Sequence, residues 1–527
     1  MAEQRFKTLH FISLLLLCIL SFQISESNQT SEFCYEGESA GCRSPTTSKN
    51  LIKGGIVVNA HHQEVADVYI EDGIIVLVQC KIKVGDDVIV IDATRKYVMP
   101  GGIDPHTHLG MEFMGSETID DCFRDQAAAL AGGTTMHIDF ALPINGILSA
   151  GFEAYTKKAR MACMDYGLHM AVTKWDEVVS RDMEILVKEK GINSFKFFLA
   201  YKGSFMINDE LLLKGFKKCK TLGVVPTVHA ENGDAVAERQ KRIFDLGITG
   251  LEGHGLSRLP ILEGEATSRA IRLASFVNVP LYVVHVMSID AMEEIAKAQK
   301  SGQEVVGEAV VSGLVLDDYA LWDPDFTTAA KYVMSPPIRE AGHGKALQAA
   351  LSIGILKLVG TDHCTFNSAQ KALDIDDFRK ILNGVNGIEE RKHLIWDTMV
   401  ESGQIFAIDY VRVTSTECAR VFNIYPRKGA ILAVSDADII ILNPNASFKI
   451  LSSSHHSRSD INVYKGRKGK GNVEVTIVGG KVVWENGELK VEPDSGRYIE
   501  IPPFGHLFSS IGKADVAYLS SLHAPVH

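Results

Sequence analysis

Apolar and amphipathic stretches alternate through the central part of the chain. Seven apolar runs have the length and the β-branched residues of buried strands, at 135–142, 169–173, 194–201, 224–231, 280–287, 304–309 and 357–363. Helical patterns lie between them at 152–166, 209–222, 264–277, 290–301 and 345–353. This alternation continues for roughly 300 residues and predicts an α/β fold built on a parallel sheet.

A (β/α)8 barrel of the TIM type suits a repeat of this length. The alternative is a doubly wound open sheet, but no Gly-x-Gly-x-x-Gly turn follows the first strand. We therefore predict a TIM-like barrel over residues 100–425.

Shorter β patterns lie on both sides of the predicted barrel. They occur at 55–58, 67–70, 73–78 and 87–91 before it, and at 437–442, 473–478 and 481–484 after it. Gly479-Gly480 has the composition of a hairpin turn. We predict that residues 51–99 and 426–502 pair into one small β-sandwich assembled from both chain ends.

The amino terminus has the order of a secretory signal. Arg5 and Lys7 precede an apolar stretch at 9–24, and small or polar residues follow at 25–27. We predict a signal peptide at 1–27, which directs the chain to the secretory pathway and leaves its final compartment open. An uncleaved anchor and an organelle leader are the alternatives. We expect no stable membrane span once the signal is removed.

A polar segment at 28–50 follows and is predicted to be a flexible spacer. It contains Cys34 and Cys42, which could form a disulfide in an oxidising compartment. Asn28 begins a glycosylation sequon, and Asn445 begins another.

Composition narrows the class of protein. Apolar residues make up 46% and charged residues 23% of the 527 positions, as in a folded protein with a large core. Nine cysteines are too few for a disulfide framework. The net charge of −11 and the lack of a long basic run argue against a nucleic-acid partner.

Candidate chemistry starts at His106 and His108, which follow Gly101-Gly102 where the chain enters the barrel. Residues i and i+2 of a strand point to the same face, so the two imidazoles can bind one cation. His229, His285 and Asp362 each lie near the carboxyl end of a predicted strand. Because those ends converge on one pocket in a barrel, the five residues predict a site for zinc or a similar divalent ion.

Lys196 lies within an apolar strand, where an unpaired ammonium is costly to bury. A neutral amine there can react with carbon dioxide to form a carbamate, an anion able to bridge two metal ions. The alternative is a lysine whose stem is buried and whose ammonium reaches solvent.

Five motifs together resemble those of the cyclic amidohydrolases: Gly-Gly-Ile-Asp-Pro-His-Thr-His at 101–108, Ser-Phe-Lys with Ala-Tyr-Lys at 194–202, His-Ala-Glu-Asn at 229–232, His-Val-Met-Ser at 285–288 and Gly-Thr-Asp-His at 360–363. Two further motifs, at 334–339 and 383–389, resemble the dihydropyrimidinase and hydantoinase branch of that superfamily.

The resemblance implies a metal-dependent enzyme that opens cyclic amides. It implies two divalent ions, expected to be zinc, with a hydroxide between them that attacks the ring carbonyl. His106, His108 and Asp362 would hold one ion, His229 and His285 the other, and Lys196, as N6-carboxylysine, would bridge them. Tyr201 would face the substrate carbonyl, Asp362 would move the proton, and Ser335 and Asn383 would hold the ring amide through main-chain groups.

The implied reaction converts 5,6-dihydrouracil or dihydrothymine into N-carbamoyl-β-alanine or its methyl analogue, as in reductive pyrimidine breakdown. Dihydroorotases carry a basic residue where this chain has Gly110, which favours a neutral ring. A hydantoinase, an allantoinase-type enzyme and a non-catalytic assembly protein of the same fold are the alternatives. The resemblance also implies a homotetramer, in which the tail at 503–527 either packs on a neighbouring subunit or frays.

Overall fold

A computed structural model describes residues 48–509 of the chain. The predictions for the signal peptide, the spacer up to residue 47, Asn28, Cys34 and Cys42 lie outside the described residues, as does the tail from residue 510. Within residues 48–509, no helix combines the length and the apolar character needed to span a bilayer.

Five strands precede the barrel. They are β1 (Lys49–Asn59), β2 (His62–Glu71), β3 (Ile74–Gln79), β4 (Ile89–Asp92) and β5 (Tyr97–Pro100). β1 begins two residues before the predicted module, and β5 lies outside the predicted runs. The chain then enters the barrel directly, since Gly101 separates β5 from the next strand.

Eight parallel strands form the barrel. In chain order they are β6 (Gly102–Thr107), β9 (Thr134–Ala141), β10 (Asp165–Val172), β11 (Ser194–Phe198), β12 (Val225–His229), β13 (Leu281–Val283), β14 (Val305–Val310) and β15 (Leu356–Gly360). A separate short hairpin of β7 (Glu112–Phe113) and β8 (Ser116–Glu117) lies between β6 and β9. Each pairs with its neighbour in sequence order. The predicted α/β barrel is therefore confirmed.

The seam of the barrel lies between β6 and β15. Thr107, the last residue of β6, forms a parallel bridge with His363, which follows β15, and the His108 amide donates to the His363 carbonyl over 2.9 Å. The buried guanidinium of Arg391 donates to the carbonyls of Ile103 (3.0 Å) and Val359 (2.8 Å), one on each strand. These bonds keep β6, which carries His106, beside the strand that precedes Asp362.

Helices cover the outside of the barrel and extend past its last strand. The α-helices of the described chain are Cys122–Ala131, Leu148–Lys158, Glu177–Lys190, Asp209–Leu222, Gly233–Asp245, Glu252–Ser257, Pro260–Val277, Ile289–Lys300, Val311–Val315, Phe326–Ala330, Ala341–Ser352, Ser368–Lys371, Arg391–Ile395, Ala407–Val411 and Glu417–Val421. The helix predicted at 209–222 has the predicted bounds.

The helix predicted at 152–166 shows the largest difference in extent from the structure. The helix predicted at 152–166 ends at Lys158, is followed by a 3-10 turn over Ala159–Met161, and Tyr166 belongs to β10. The apolar pattern continues because Ala162, Cys163 and Met164 are buried beside the start of the strand, not on a helix face.

The last four strands join the first five in one sheet. They are β16 (Ile439–Lys449), β17 (Lys468–Val478), β18 (Lys481–Glu485) and β19 (Glu488–Leu489), and β16 pairs with β5 across the two chain ends. The nine strands run in the order β19-β18-β17-β16-β5-β1-β2-β3, with β4 beside β1. Asn445 of the second sequon lies exposed on β16. A module assembled from both chain ends is confirmed.

A buried ion network joins this sheet to the barrel. The ammonium of Lys428 lies 2.6 Å from Asp165 at the start of β10, 3.0 Å from Asp436 and in contact with Asp438. Arg497 adds a second cation 2.9 Å from Asp165. The three carboxylates lie close enough together to suit a metal ion, but the ammonium fills the place between them.

The start of the predicted tail packs on its own chain. The Phe504 amide donates to the Gly223 carbonyl over 2.7 Å, and Leu507 is buried in the cluster that contains Phe422. Residues 503–509 are therefore held against one end of the barrel of the same subunit.

Candidate active site

One cleft lies at the carboxyl ends of the barrel strands. His108 follows β6, His229 ends β12, His285 follows β13, and Asp362 follows β15, and each of these four side chains lines the cleft. Lys196 lines it from within β11. The structure therefore brings together the ligand residues that the sequence predicts.

Two histidines and one carboxylate form the first cluster. Oδ1 of Asp362 lies 3.1 Å from Nε2 of His106 and 3.2 Å from Nε2 of His108. Burial alone raises the pKa of Asp362, but the two neighbouring rings hold it well below its usual range. Asp362 is therefore an anion with both imidazoles facing the same oxygen.

The other two histidines form the second cluster. Nδ1 of His229 lies 2.9 Å from Nε2 of His285. On the opposite side of its ring, Nε2 of His229 lies 2.9 Å from Glu231, whose carboxylate also accepts from Arg258 over 2.6 Å. Glu231 thus assigns the N–H of His229 to Nε2 and leaves Nδ1 with a lone pair directed at His285.

Lys196 lies beside the first cluster. Its ammonium is 3.1 Å from Nε2 of His106 and 4.0 Å from the centre of the Phe140 ring. The residue is 1% exposed, so the alternative of an ammonium reaching solvent is excluded. Burial lowers its pKa to about 8, although Asp362 raises it in part. A fraction of about a tenth of the side chain is therefore neutral amine at about pH 7, far more than for an ordinary lysine.

Glu308 supports both clusters and was not predicted from the sequence. It lies on β14 with an exposure of 0%, and its Oε1 is 2.6 Å from Nδ1 of His106. The same oxygen accepts from the His285 amide over 2.9 Å. The sequence signal is a lone charged residue in an apolar strand, the same kind of signal that identified Lys196.

The donor set fits divalent metal ions. In the neutral form of His106, with Nδ1 donating to Glu308, the lone pair of Nε2 faces Oδ1 of Asp362. The ligand atoms of His106, His108 and Asp362 lie within 4.8 Å of one another. Acceptor atoms that converge in this way need a cation between them, and imidazole with carboxylate is the set that zinc and similar ions take.

Three residues at the cleft hold a left-handed backbone. The φ angles are 65° at Tyr201, 37° at His285 and 52° at Asp362. Side chains other than glycine adopt this conformation at a cost, and such residues cluster at active sites. Here the conformation occurs in loops that directly follow β11, β13 and β15.

The substrate side of the cleft combines polar groups with an apolar wall. Tyr201, Ser335 and Asn383, the three predicted substrate contacts, all line it. Burial raises the pKa of Tyr201, so its hydroxyl stays protonated and can donate. The wall consists of Met111, Phe113, Leu142, Phe198, Phe205 and Met334. A small, uncharged ring suits this lining.

The side chains of the two residues that follow Asp362 point in different directions. Cys364 lines the cleft, whereas the ring of the buried His363 lies 2.9 Å from Asp125 and accepts from the Gly387 amide over 3.1 Å. His363 therefore supports the loop between residues 362 and 387.

Comparisons with known proteins agree with this geometry. The amidohydrolase family model matches residues 97–483. The chain is similar to a dihydropyrimidinase of Arabidopsis thaliana, with 73% identity over 98% of each chain. It is also similar in structure to a dihydropyrimidinase from Brevibacillus agri and to a D-hydantoinase from a Bacillus species. Each of these matches has a TM-score of 0.85 and 40% identity, and covers 87% of this chain and 100% of the other.

The match spans the barrel with all its ligand positions, and members of this family depend on a metal ion. The chain therefore belongs to the amidohydrolase family, in the branch that contains dihydropyrimidinases and D-hydantoinases.

Proposed function

We propose that the protein hydrolyses the ring of 5,6-dihydrouracil and dihydrothymine, giving N-carbamoyl-β-alanine and its methyl analogue. The observation that carries this proposal is the complete set of four histidines, one lysine and one aspartate around a single cleft. A relative named dihydropyrimidinase, 73% identical over nearly the whole chain, supports the choice of substrate.

We assign two divalent ions, with zinc as the expected metal. His106, His108 and Asp362 would hold one, and His229 and His285 the other. When bound, such ions lower the pKa of water and polarise a carbonyl group. The burial of His106, His229 and His285 supports the assignment, since it keeps competing water away from those ligand atoms. His108 and Asp362 keep 11% and 12% of their side chains exposed, and both line the cleft.

Lys196 is proposed to be carboxylated. Its neutral amine attacks carbon dioxide, an N–C bond forms, and one proton leaves, so the product is a carbamate anion. The support is its place 3.1 Å from Nε2 of His106 in a site without a carboxylate bonded to it. An anion at this position would complete the bridge between the two clusters and would neutralise part of the metal charge.

Two side chains of the cleft carry out the proton and oxyanion chemistry. The Tyr201 hydroxyl donates a hydrogen bond to the carbonyl oxygen of the ring as negative charge develops there. Asp362 accepts a proton from the attacking water at its carboxylate and delivers it to the ring nitrogen that leaves. The low pKa of Asp362 keeps it ionised before the water attacks.

A hydantoin ring is the second candidate substrate, because a D-hydantoinase has the same fold over all of its chain. Dihydroorotate is disfavoured, since Gly110 offers no cation for its carboxylate. A non-catalytic assembly role is disfavoured by the presence of every ligand residue.

The test is an assay of the purified protein with dihydrouracil, dihydrothymine, hydantoin, allantoin and dihydroorotate. We expect the fastest ring opening with dihydrouracil, loss of activity after chelation, and recovery on adding zinc. Faster hydrolysis of allantoin or dihydroorotate would contradict the proposal.

We also propose a homotetramer that enters the secretory pathway. The basis is the resemblance to the family and the signal pattern at 1–27. Light scattering after gel filtration tests the assembly, and imaging of a carboxyl-terminal fluorescent fusion tests the location. Treatment with an endoglycosidase tests whether the second sequon is exposed to the lumen. We expect the enzyme to remove a glycan at Asn445 from the wild-type protein, and this loss of mass should be absent in Asn445→Gln.

A further inference from the structure

Lys371 is a buried cation that the mechanism above does not use. It ends the short helix Ser368–Lys371 and is only 2% exposed. Its Nζ donates to three main-chain carbonyls, those of Gly384 (2.8 Å), Ala330 (2.9 Å) and Val333 (3.3 Å). An ammonium has three hydrogens, so all of its donors are satisfied by backbone.

This pairing is unusual because no charge compensates the ammonium. In the part of the chain that the structure describes, no carboxylate lies within ion-pair distance of Lys371, and burial lowers its pKa to about 7. Burying a cation among carbonyls alone is costly. A residue held at that cost is a candidate for a role beyond packing.

Two of the three carbonyls, those of Val333 and Gly384, belong to loops that line the cleft, and the third ends the helix Phe326–Ala330 that precedes the first of these loops. One loop leads through Val333 to Met334 and Ser335, and the other contains Asn383 and Gly384. The loops are also bonded directly, since the Gly384 amide donates to the Val333 carbonyl over 2.9 Å. Lys371 therefore connects the main chain next to Ser335 with the main chain next to Asn383, the two predicted contacts of the ring amide.

Neighbouring groups make this arrangement rigid. The ring of His254 lies 2.7 Å from the Met334 carbonyl, next to Ser335. Gly384 has a φ of 157° and packs so closely that an added Cβ would lie 2.4 Å from the Cys364 carbonyl oxygen. Cys364, in the segment after β15, is thus pressed against Gly384, and Lys371 from the same segment donates to the Gly384 carbonyl.

We infer that Lys371 is a positioning residue for substrate, which sets the distance between the main chain at Ser335 and at Asn383 without touching the ring itself. This inference rests on the proposed function, because it assigns those two segments to the ring amide. It predicts that loss of the ammonium weakens substrate binding while the metal ligands and Tyr201 stay in place.

The test compares Lys371→Met, Lys371→Arg and the matched control Lys392→Met in the full-length, metal-loaded protein. Lys392 is also a fully buried lysine, but it donates to Thr414 and lies outside the lining of the cleft. Lys371→Arg keeps a positive charge and several N–H donors at this position.

In Lys371→Met, we expect the KM for dihydrouracil to rise about 10- to 100-fold, the loss expected for hydrogen bonds from a charged donor. We expect kcat to stay within about threefold of the wild-type value, since the reacting groups are unchanged. Metal content should not change, and amide exchange should increase in peptides covering 330–335 and 383–387. Lys371→Arg should have a KM much closer to the wild-type value than Lys371→Met has, and Lys392→Met should leave KM unchanged.

A KM within about twofold of wild type in a folded Lys371→Met would overturn the inference. So would a failure of both Lys371 variants to fold while Lys392→Met folds, because Lys371 would then serve stability. A wild-type protein without activity on dihydrouracil would instead refute the proposed function, so the two failures are distinguishable.

Discussion

Glu308 lies 2.6 Å from Nδ1 of His106 and fixes the ring from the side opposite Asp362. Its other oxygen accepts from the Tyr282 hydroxyl over 2.6 Å. Because the first oxygen also accepts from the His285 amide, one buried carboxylate orients a ligand of each cluster. Carboxylates in this position fix the tautomer of a ligating imidazole and raise its basicity.

We expect Glu308→Gln to weaken metal binding by about 10- to 100-fold, the usual effect of removing such a partner. The amide offers a donor or a weaker acceptor where the carboxylate accepted from a ring and a main-chain N–H. The change in zinc affinity is measured by titrating the metal-free protein with zinc and recording turnover at each zinc concentration. Tyr282→Phe is the control and should lose less zinc affinity, since it leaves the Glu308 carboxylate in place. Equal zinc affinity in Glu308→Gln and wild type would contradict the assigned role.

Lys196→Ala should lose most of its bound metal and reduce kcat by roughly 1,000-fold, as expected when metal activation of the reaction is lost. The physical reason is the loss of the anion proposed between the clusters. Metal analysis and turnover measure both effects, and added acetate or propionate should restore part of the activity by supplying a carboxylate. Lys202→Ala removes an exposed lysine six residues away and should behave as wild type. Unchanged metal content and turnover in Lys196→Ala would refute the bridging role.

The metal ligands could be predicted because each combines two local signals, a histidine or charged residue and an apolar strand that ends there. Glu308 carries the same signal in Val-Val-Gly-Glu-Ala-Val, but no family motif marked it, and burial in β14 became evident only from the fold. Lys371 had no such signal. It ends the four-residue helix Ser-Ala-Gln-Lys, and its burial depends on two loops that are distant in sequence.

Both bounds of one helix were predicted correctly, because its sequence marks its buried face and its end. The helix Asp209–Leu222 has a clear apolar face and a glycine in the left-handed conformation at its end, so both bounds are visible in the sequence. By contrast, eight of the ten residues of Cys122–Ala131 are buried. A helix covered on nearly all sides shows little amphipathic periodicity, and this one was not predicted.

Tyr201→Phe should lower kcat by about 100- to 1,000-fold, the effect of removing one oxyanion donor. The KM should change much less, because the hydroxyl is expected to bind the carbonyl oxygen most strongly in the transition state. Steady-state kinetics with dihydrouracil measure the two parameters separately. Tyr319→Phe, at an exposed position, is the control. A fall in affinity with unchanged kcat would assign Tyr201 to ground-state binding instead.

The ion network between barrel and sheet predicts a pH-dependent stability. Burial alone raises the pKa of Asp165, but Lys428 and Arg497 lower it below its ordinary value of 3.8. A carboxyl group with a lowered pKa in the folded state stabilises the fold above its unfolded pKa. This contribution is lost as the pH falls through the folded pKa.

Lys428→Met leaves Asp165, Asp436 and Asp438 buried without their ammonium, so we expect the free energy of unfolding at about pH 7 to fall by roughly 3–5 kcal/mol. Without the cation the carboxyl pKa values in the folded variant rise above those of the unfolded chain, and the variant gains stability as protons bind. The difference from wild type should therefore narrow between about pH 7 and about pH 4. Urea unfolding at both pH values measures it. Lys392→Met, which removes a lysine bonded to a hydroxyl, should show no such narrowing, and a difference for Lys428→Met that stays constant or widens would contradict the electrostatic explanation.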